Sequence, residues 1–341
     1  MVTQVNTRFR WIIALCVGIL FCNLGCKSDA PVTPPTKEEK PAKPRVTIPK
    51  FERDSAYAFI EKQLSFGFRI PGTKESHACK DWMVSKLKSY GAQVVEQSFK
   101  ASFMDVKDAQ AYNVIAEINP EKKQRVLLCA HWDSRKVAEK DSDEDRKEDP
   151  IMGADDGASG VAVLIEIARL ISQNEIDLGV DIVLFDAEDQ GDDPGGTKSW
   201  CLGSQYWSKN PHKAGYNADF GILLDMIAAE GANFTYEGHS SRYAPKVMEK
   251  IWTLAHRMGK MDLFKKIKTG AITDDHYWVN LNLGIPTVDI INRPQPNTNG
   301  HGFGDYHHTH NDDISIISKK NLGSVGQVVT ATLYRTSDGS F

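Results

Sequence analysis

The segment Val183–Asp189, with the sequence VLFDAED, joins a short apolar run to a pair of adjacent acids. Residues 183–185 are typical of a strand that is buried on both faces of a parallel sheet. Glu188 and Asp189 follow directly after this strand. Ligands of open α/β sheets bind at the carboxyl ends of the strands, where one acid can bind a metal and another can transfer protons. We therefore expect a catalytic site at this point of the chain.

Apolar segments with strand and helix patterns alternate on both sides of this pair. The predicted strands are Gln93–Phe99, Ala111–Ile118, Arg125–Ala130, Val180–Phe185, Phe220–Ile227 and Pro286–Ile291. The predicted helices are Ser55–Leu64, Glu75–Tyr90, Val161–Ile171, Ala244–Met258, Tyr277–Leu283 and Ser318–Tyr334. This alternation predicts an α/β fold, with a single domain in which helices flank a central, mostly parallel mixed sheet.

The first residues have the pattern of an export signal. Arg8 and Arg10 precede the apolar run Trp11–Leu20, which continues through Phe21, and a small residue, Gly25, precedes Cys26 at the expected cleavage site. This pattern resembles a bacterial lipoprotein signal over residues 1–26, with a lipid attached to Cys26, although ordinary secretion and an uncleaved anchor are alternatives. Residues 27–48 are rich in Pro, Lys and Glu and predict a disordered tether. The folded domain is then expected over residues 49–341.

Composition limits the classes of partner and the number of disulfides. The chain has 341 residues, 41% of them hydrophobic, and a net charge of −4, which gives no indication of nucleic-acid binding. Besides Cys26, only Cys79, Cys129 and Cys201 remain after the signal. We therefore expect no disulfide framework, and a single disulfide bridge is the alternative.

Further acids lie before predicted helices or in predicted strands. Asp156 belongs to GADDGASG, residues 153–160, where an acid can also serve only to stabilise a helix N-terminus. Asp225 is the single acid in a buried strand, a position that is costly unless the carboxylate is paired or bound to a metal. Asp274 and Asp275 open a helix. These acids are candidates for the same site.

Histidine-containing segments add nitrogen ligands. His301–Asp313 carries four of the ten histidines, which predicts a metal ligand there. His131 and Asp133 end a strand and have the spacing of a metal ligand and its orienting carboxylate, with a structural pair as the alternative. The charged run Glu139–Pro150 predicts a solvated loop, and the alternative of a calcium site lacks the features of an EF-hand loop.

Catalytic zinc needs three protein ligands and one open coordination position. Asp156, Asp189 and His308 would supply two carboxylates and an imidazole. Glu188, beside a ligand, could then transfer protons without binding the metal.

These motifs together resemble a known family. GADDGASG, FDAED, LLDM, DDH, GIP and HHTHNDD occur in the order and approximate spacing of the M28 family of zinc aminopeptidases, over roughly residues 50–336. Within that group the chain is most similar to the bacterial glutaminyl cyclases, because a long insertion separates Asp189 from Leu202 and the segment 199–207 reads SWCLGSQYW. The resemblance implies a zinc-exopeptidase-like fold and a zinc-dependent cyclase or peptidase domain over residues 49–341.

The resemblance also implies roles for the matching residues. Asp156, Asp189 and His308 match the ligands of one Zn²⁺ per chain, and Glu188 matches the general acid/base. The second catalytic acid is matched by Asp225.

Other positions are left open by the resemblance. Either Asp274 or Asp275 matches an acid that supports the catalytic pair, and His131 matches a second-metal ligand that cyclases keep without using it for zinc. His307 stands where animal cyclases have a tryptophan. Trp200 or Trp207 could supply the pocket wall that this tryptophan forms in animal cyclases. The alternative for each is an ordinary position in the hydrophobic core.

The implied reaction is the cyclisation of N-terminal glutamine of peptides or proteins to pyroglutamate with release of ammonia, the activity of a glutaminyl-peptide cyclotransferase, an acyltransferase. The alternatives are a two-zinc aminopeptidase that removes N-terminal residues and a non-catalytic lipoprotein that binds peptides or sugars. We expect a monomer, exported and anchored to a membrane through Cys26, on the periplasmic side of the envelope or at the cell surface.

Overall fold

A six-stranded mixed sheet forms the centre of the computed structural model, which describes residues 45–192, 194–296 and 302–341. Its strands are β1 (Gln93–Phe103), β2 (Val106–Ile118), β3 (Arg125–His131), β4 (Gly179–Phe185), β5 (Phe220–Asp225) and, after a separate small sheet, β8 (Thr287–Ile291). The small sheet pairs β6 (Phe234–Tyr236) with β7 (Phe264–Lys268) in parallel. It was not predicted, because its strands of three and five residues are too short to show a clear period.

The strand order is β1-β2-β4-β3-β5-β8. The neighbours β4, β3, β5 and β8 pair in parallel, whereas β2 pairs antiparallel with both β1 and β4. Every residue of the four parallel strands is buried, as expected for strands covered on both faces. The predicted fold class is confirmed.

Helices cover both faces of the central sheet. They are α1 (Arg53–Leu64), α2 (Lys74–Ser89), α3 (Ala158–Gln173), α4 (Leu202–Lys209), α5 (Gly238–Tyr243), α6 (Pro245–Arg257), α7 (Asp275–Leu283) and α8 (Lys319–Ser337). Alternate residues of β3 belong to different apolar clusters: Leu128 belongs to the cluster that includes residues of α1, α3 and α8, whereas Leu127 belongs to the one that includes residues of α4 and α7.

The helix α3 lies close to the sheet, and a glycine allows this approach. A Cβ atom added at Gly160 would lie 2.2 Å from the backbone oxygen of Leu224 in β5. Gly160, in the first turn of α3, therefore allows the start of the helix to approach β5 directly.

The N-terminal predictions concern mainly residues 1–44, which lie outside the described residues. The end of the predicted tether is described: Val46 and Ile48 pack against the main core, and Val46 donates a hydrogen bond to Asp338 at 3.1 Å. Among the described residues, no helix is long and apolar enough to cross a membrane.

Candidate active site

The carboxyl ends of the parallel strands bring the candidate residues to one edge of the sheet. His131 ends β3, Asp225 ends β5, and Glu188 and Asp189 follow β4 after a short turn. The predicted strand over 220–227 ends earlier than expected, at Asp225 itself. The carboxylate therefore points into the site instead of interrupting a strand.

Asp156, Asp189 and His308 meet at the base of this edge. The Nε2 atom of His308 lies 3.0 Å from Oδ1 of Asp189 and 4.0 Å from Oδ2 of Asp156. All three residues are buried, and Oδ2 of Asp189 has no hydrogen-bond partner in the described part of the chain. A buried carboxylate oxygen without a partner is costly unless a cation binds there.

Two buried carboxylates hold the loops that carry these acids. Asp133 accepts hydrogen bonds from the backbone N–H groups of Glu188 and Asp189, at 3.0 and 3.1 Å. Asp312 accepts in the same way from the backbone N–H of Asp156, at 3.1 Å, and from the preceding residue, at 2.7 Å. Each pair of bonds fixes the backbone on which a site carboxylate is mounted. Asp312 was not predicted, although it belongs to the HHTHNDD segment.

The ring of His308 is oriented by a residue of the charged loop. Its Nδ1 atom lies 2.5 Å from Oε1 of Glu139. The other carboxylate oxygen of Glu139, Oε2, accepts a hydrogen bond from Nε of Arg135 at 2.7 Å. Burial alone would raise the pKa of Glu139, but the bonds from His308 and Arg135 lower this pKa to about 2. Glu139 is exposed, as the prediction of a solvated loop over Glu139–Pro150 expects, but Glu139 and Lys140 also line the pocket, which the sequence did not indicate.

His131 lies between two acids on the other side of Asp156. Its Nε2 atom is 3.0 Å from Oδ1 of Asp156 and 3.3 Å from Oδ1 of Asp225. Its Nδ1 atom faces Asp133 at 3.4 Å. His131, Asp156 and Asp225 are close enough together to form a second group of metal donors that shares Asp156 with the first.

Glu188 lines the pocket beside these two groups of donors. Burial raises the pKa of its carboxyl well above the usual range; the positive charge of His131 opposes this shift, and the charge of Asp274 adds to it. Burial also raises the pKa of Asp225 well above its usual value. The edge of the sheet thus concentrates several carboxyl groups in a region that disfavours their charged forms.

Asp274 and Asp275 lie at the start of α7 but have different surroundings. Asp274 caps the helix by accepting a hydrogen bond from the backbone N–H of Asp275 at 2.5 Å, and it lines the pocket close to Glu188. Asp275 is fully buried, and neither oxygen of its carboxyl has a hydrogen-bond partner among the described residues. Only Asp274 of this pair faces the pocket, a choice that the sequence left open.

The pocket has a volume of about 540 Å³, and aromatic rings form part of its wall. Trp200 stacks on His308, with ring centroids 5.9 Å apart, and the Arg135 guanidinium lies 4.7 Å from the Trp200 ring. The ring of His307 also stacks on His308, with centroids 3.7 Å apart. Trp207, in contrast, is fully buried in the core of the α4 side. Of the two candidate tryptophans, only Trp200 lines the pocket.

The fold and this pocket define a zinc-exopeptidase-like α/β protein. The model of Peptidase family M28 matches residues 113–333, and the chain belongs to this family.

Similar proteins are found among crystal structures and characterised sequences. The crystal structure of Porphyromonas gingivalis glutaminyl cyclase is 47% identical, with a TM-score of 0.81, and the match covers 84% of this chain and 99% of that one. A Zn-dependent exopeptidase from Parabacteroides distasonis is 42% identical, with a TM-score of 0.82 and the same coverage. The glutaminyl-peptide cyclotransferase of Bos taurus is 22% identical over 290 residues, which are 76% of this chain and 76% of that protein.

The donor set at the base of the pocket fits zinc. Two carboxylates and an imidazole are ligands that Zn²⁺ accepts in catalytic sites. The hydrogen bond from Nδ1 of His308 to Glu139 leaves Nε2 as the nitrogen that faces Asp189. The unpartnered Oδ2 atom of Asp189 is also explained by a bound cation.

Substitution of Glu139 by glutamine is expected to weaken zinc binding by about 10- to 100-fold, because the amide is a poorer acceptor for the His308 Nδ1–H group. Titration of the metal-free protein with zinc would measure the change. Glu144→Gln, in the exposed part of the same loop, is the matched control. Equal zinc affinity of Glu139→Gln and the wild type would show that Glu139 does not support the ligand.

Proposed function

We propose that this protein cyclises the N-terminal glutamine of peptides or proteins to pyroglutamate and releases ammonia. The observation that carries the proposal is the position of Glu188 in the pocket, beside Asp156, Asp189 and His308. The 47% identity to a glutaminyl cyclase, which extends over 84% of the chain, supports this reaction over others of the family.

We assign one Zn²⁺ per chain to Asp156, Asp189 and His308. When bound, zinc would polarise the γ-carboxamide of the substrate as a Lewis acid. Arg135 helps to hold this group of ligands, because its Nη1 atom donates a hydrogen bond to the backbone oxygen of Asp189 at 2.7 Å.

Glu188 transfers the proton in this reaction. The substrate's α-amino nitrogen forms a bond to the γ-carboxamide carbon, and the bond from that carbon to the amide nitrogen breaks. Glu188 accepts the proton that the attacking nitrogen loses and donates it to the leaving nitrogen, so that ammonia is released. Both reacting groups belong to one residue of the substrate, which gives the attack the advantage of an intramolecular reaction.

Asp225 and Asp274 complete the polar side of the pocket. Asp225 would accept a hydrogen bond from the attacking nitrogen, and its own position is set by the 3.3 Å contact to His131. Asp274 lies near Glu188 and would support it as a neighbouring acid. Trp200 covers the opposite side, where its ring limits the access of water that would compete with the amine.

The test is release of ammonia from a dipeptide that begins with glutamine, measured with and without a chelator. We expect chelator-sensitive release of ammonia together with a pyroglutamyl product. Absence of chelator-sensitive ammonia would contradict the proposed reaction.

A two-zinc aminopeptidase is the second candidate. The group of His131, Asp156 and Asp225 favours it, because these residues could bind a second ion beside the first. Metal analysis and product analysis separate the two candidates. Two zinc ions per chain and a released amino acid would support the peptidase, whereas one zinc ion and ammonia would support the cyclase.

We also propose that the protein is exported, anchored through a lipid on Cys26 and monomeric. Residues 1–26 carry the signal pattern on which the anchor rests. In a bacterial host, the wild type is expected in the membrane fraction and Cys26→Ala in the soluble fraction. Membrane association of Cys26→Ala equal to that of the wild type would contradict the lipid anchor.

A further inference from the structure

The thiol of Cys201 contacts the side chain of Glu188. Its Sγ atom lies 3.1 Å from Oε1 of Glu188, within hydrogen-bond distance for sulfur. In the described part of the chain, Cys201 is the only residue that donates a hydrogen bond to this carboxyl. The mechanism above does not use this contact, and the sequence patterns did not single out Cys201 as a site residue.

Main-chain bonds fix the position of the thiol. The backbone N–H of Cys201 donates to the backbone oxygen of Glu188 at 2.8 Å, and the N–H of Leu202 donates to Ala187 at 3.0 Å. These two bonds join the start of α4 to the segment that carries Glu188. The thiol and the carboxyl are therefore held together by the backbone as well as by their own contact.

Cys201 has a backbone conformation that a side chain makes unfavourable. Its φ and ψ angles are 58° and 38°, in the left-handed region, where glycine or asparagine is the more usual residue. Cys201 is fully buried, so its side chain does not serve solubility. A side chain at this position is explained if its contact with Glu188 has a role.

The surroundings of Glu188 give the thiol that role. Asp274, Asp189 and Asp275 lie around the carboxyl and repel its charge. Burial raises the pKa of the Cys201 thiol well above its usual value, so that the thiol keeps its proton and can donate it to a hydrogen bond. A neutral donor can hold one oxygen of Glu188 without removing its proton-transfer function.

We propose that Cys201 is a positioning residue that holds Oε1 of Glu188 through an S–H···O hydrogen bond and leaves Oε2 for proton transfer. This inference rests on the proposed role of Glu188. It predicts that loss of the thiol changes the rate of the chemical step more than the binding of substrate, because only the orientation of the proton-transfer group is affected.

The experiment compares three substitutions by kcat, KM, zinc content and melting temperature. Cys201→Ala removes the donor, and Cys201→Gly removes it while relieving the left-handed backbone. Cys201→Ser keeps a donor of similar size. Cys79→Ala, at an equally buried cysteine in α2 that does not contact Glu188, is the matched control.

We expect kcat to fall about tenfold in Cys201→Ala and Cys201→Gly, with KM and zinc content close to the wild type. Cys201→Ser should keep most of the wild-type kcat, and Cys79→Ala should be unchanged in kcat. The values of kcat should not follow the melting temperatures across the variants. Cys201→Gly relieves the left-handed backbone strain, so we expect it to fold even if Cys201→Ala does not.

Two results would overturn the positioning role. One is a kcat within twofold of the wild type in a folded variant without the thiol; the other is an equal loss in Cys201→Ser and Cys201→Gly. Failure of the proposed reaction gives a different result, because the wild type would then release no ammonia. In that case the same variants are compared in the release of an N-terminal amino acid, where Glu188 would also transfer the proton.

Discussion

Glu188→Gln is expected to lower kcat about a thousandfold while zinc remains bound at the wild-type level. Glutamine has nearly the same shape as glutamate, but its amide cannot accept the proton that the attacking nitrogen must lose. The backbone of residue 188 is held by Asp133, so the substitution should leave the neighbouring Asp189 in place. Ammonia release from a glutaminyl dipeptide and zinc analysis of the purified protein measure the two quantities.

The matched control is Glu61→Gln, an exposed glutamate in α1, which should keep both activity and zinc. If Glu188→Gln loses its zinc together with its activity, then Glu188 is a ligand, and the division of roles between the two adjacent acids is wrong.

Asp189→Ala is expected to lose zinc and activity together, with activity reduced by about a thousandfold or more. Asp189 supplies one of the three proposed ligands and lies 3.0 Å from Nε2 of His308. With only Asp156 and His308 left, the site would have two protein ligands, fewer than catalytic zinc sites use. Zinc analysis after dialysis, together with the ammonia assay, tests this result.

Asp189→Asn separates the charge of the ligand from its volume. It fills the same space without the negative charge, so we expect it to lose zinc as well. Stoichiometric zinc in both variants would exclude Asp189 from the metal site, whereas loss only in Asp189→Ala would show that the negative charge of Asp189 is not required, because the amide oxygen of asparagine can still bind the ion.

The position of Glu188 and Asp189 could be predicted because it depends on a local pattern. An apolar run that is buried in a parallel strand must end at the edge of the sheet, and residues directly after it must lie at that edge. The same reasoning applies to Asp225, which ends β5. The sequence therefore predicted the strands, the edge of the sheet at which they end, and the acids that lie at that edge.

The sequence could not predict in the same way which of the side chains of Asp274 and Asp275 faces the pocket. Asp274 is the N-cap, with an extended backbone, whereas Asp275 is the first residue of α7, so a helical period does not relate their directions. Which of them faces the pocket depends on how α7 packs. Here α4 lies against α7, Asp275 is fully buried, and Asp274 lines the pocket.

Glu139 and Trp200 show a second limit of the sequence. Glu139 belongs to a run of charges that is typical of a solvated loop, yet this residue contacts His308, 169 positions further along the chain. Trp200 and Trp207 have similar sequence surroundings, but one lines the pocket and the other lies in the core. Contacts between such distant segments leave no local period in the sequence.

By itself, the sequence determined the α/β class, the edge of the sheet that carries the site, and the pair Glu188 and Asp189, because burial and strand period are local properties. The tertiary structure decided which residues support that pair. Glu139 orients His308, Asp274 faces the pocket and Cys201 contacts Glu188. Each of these contacts joins separate segments of the chain, so its geometry exists only after the sheet and its helices have packed.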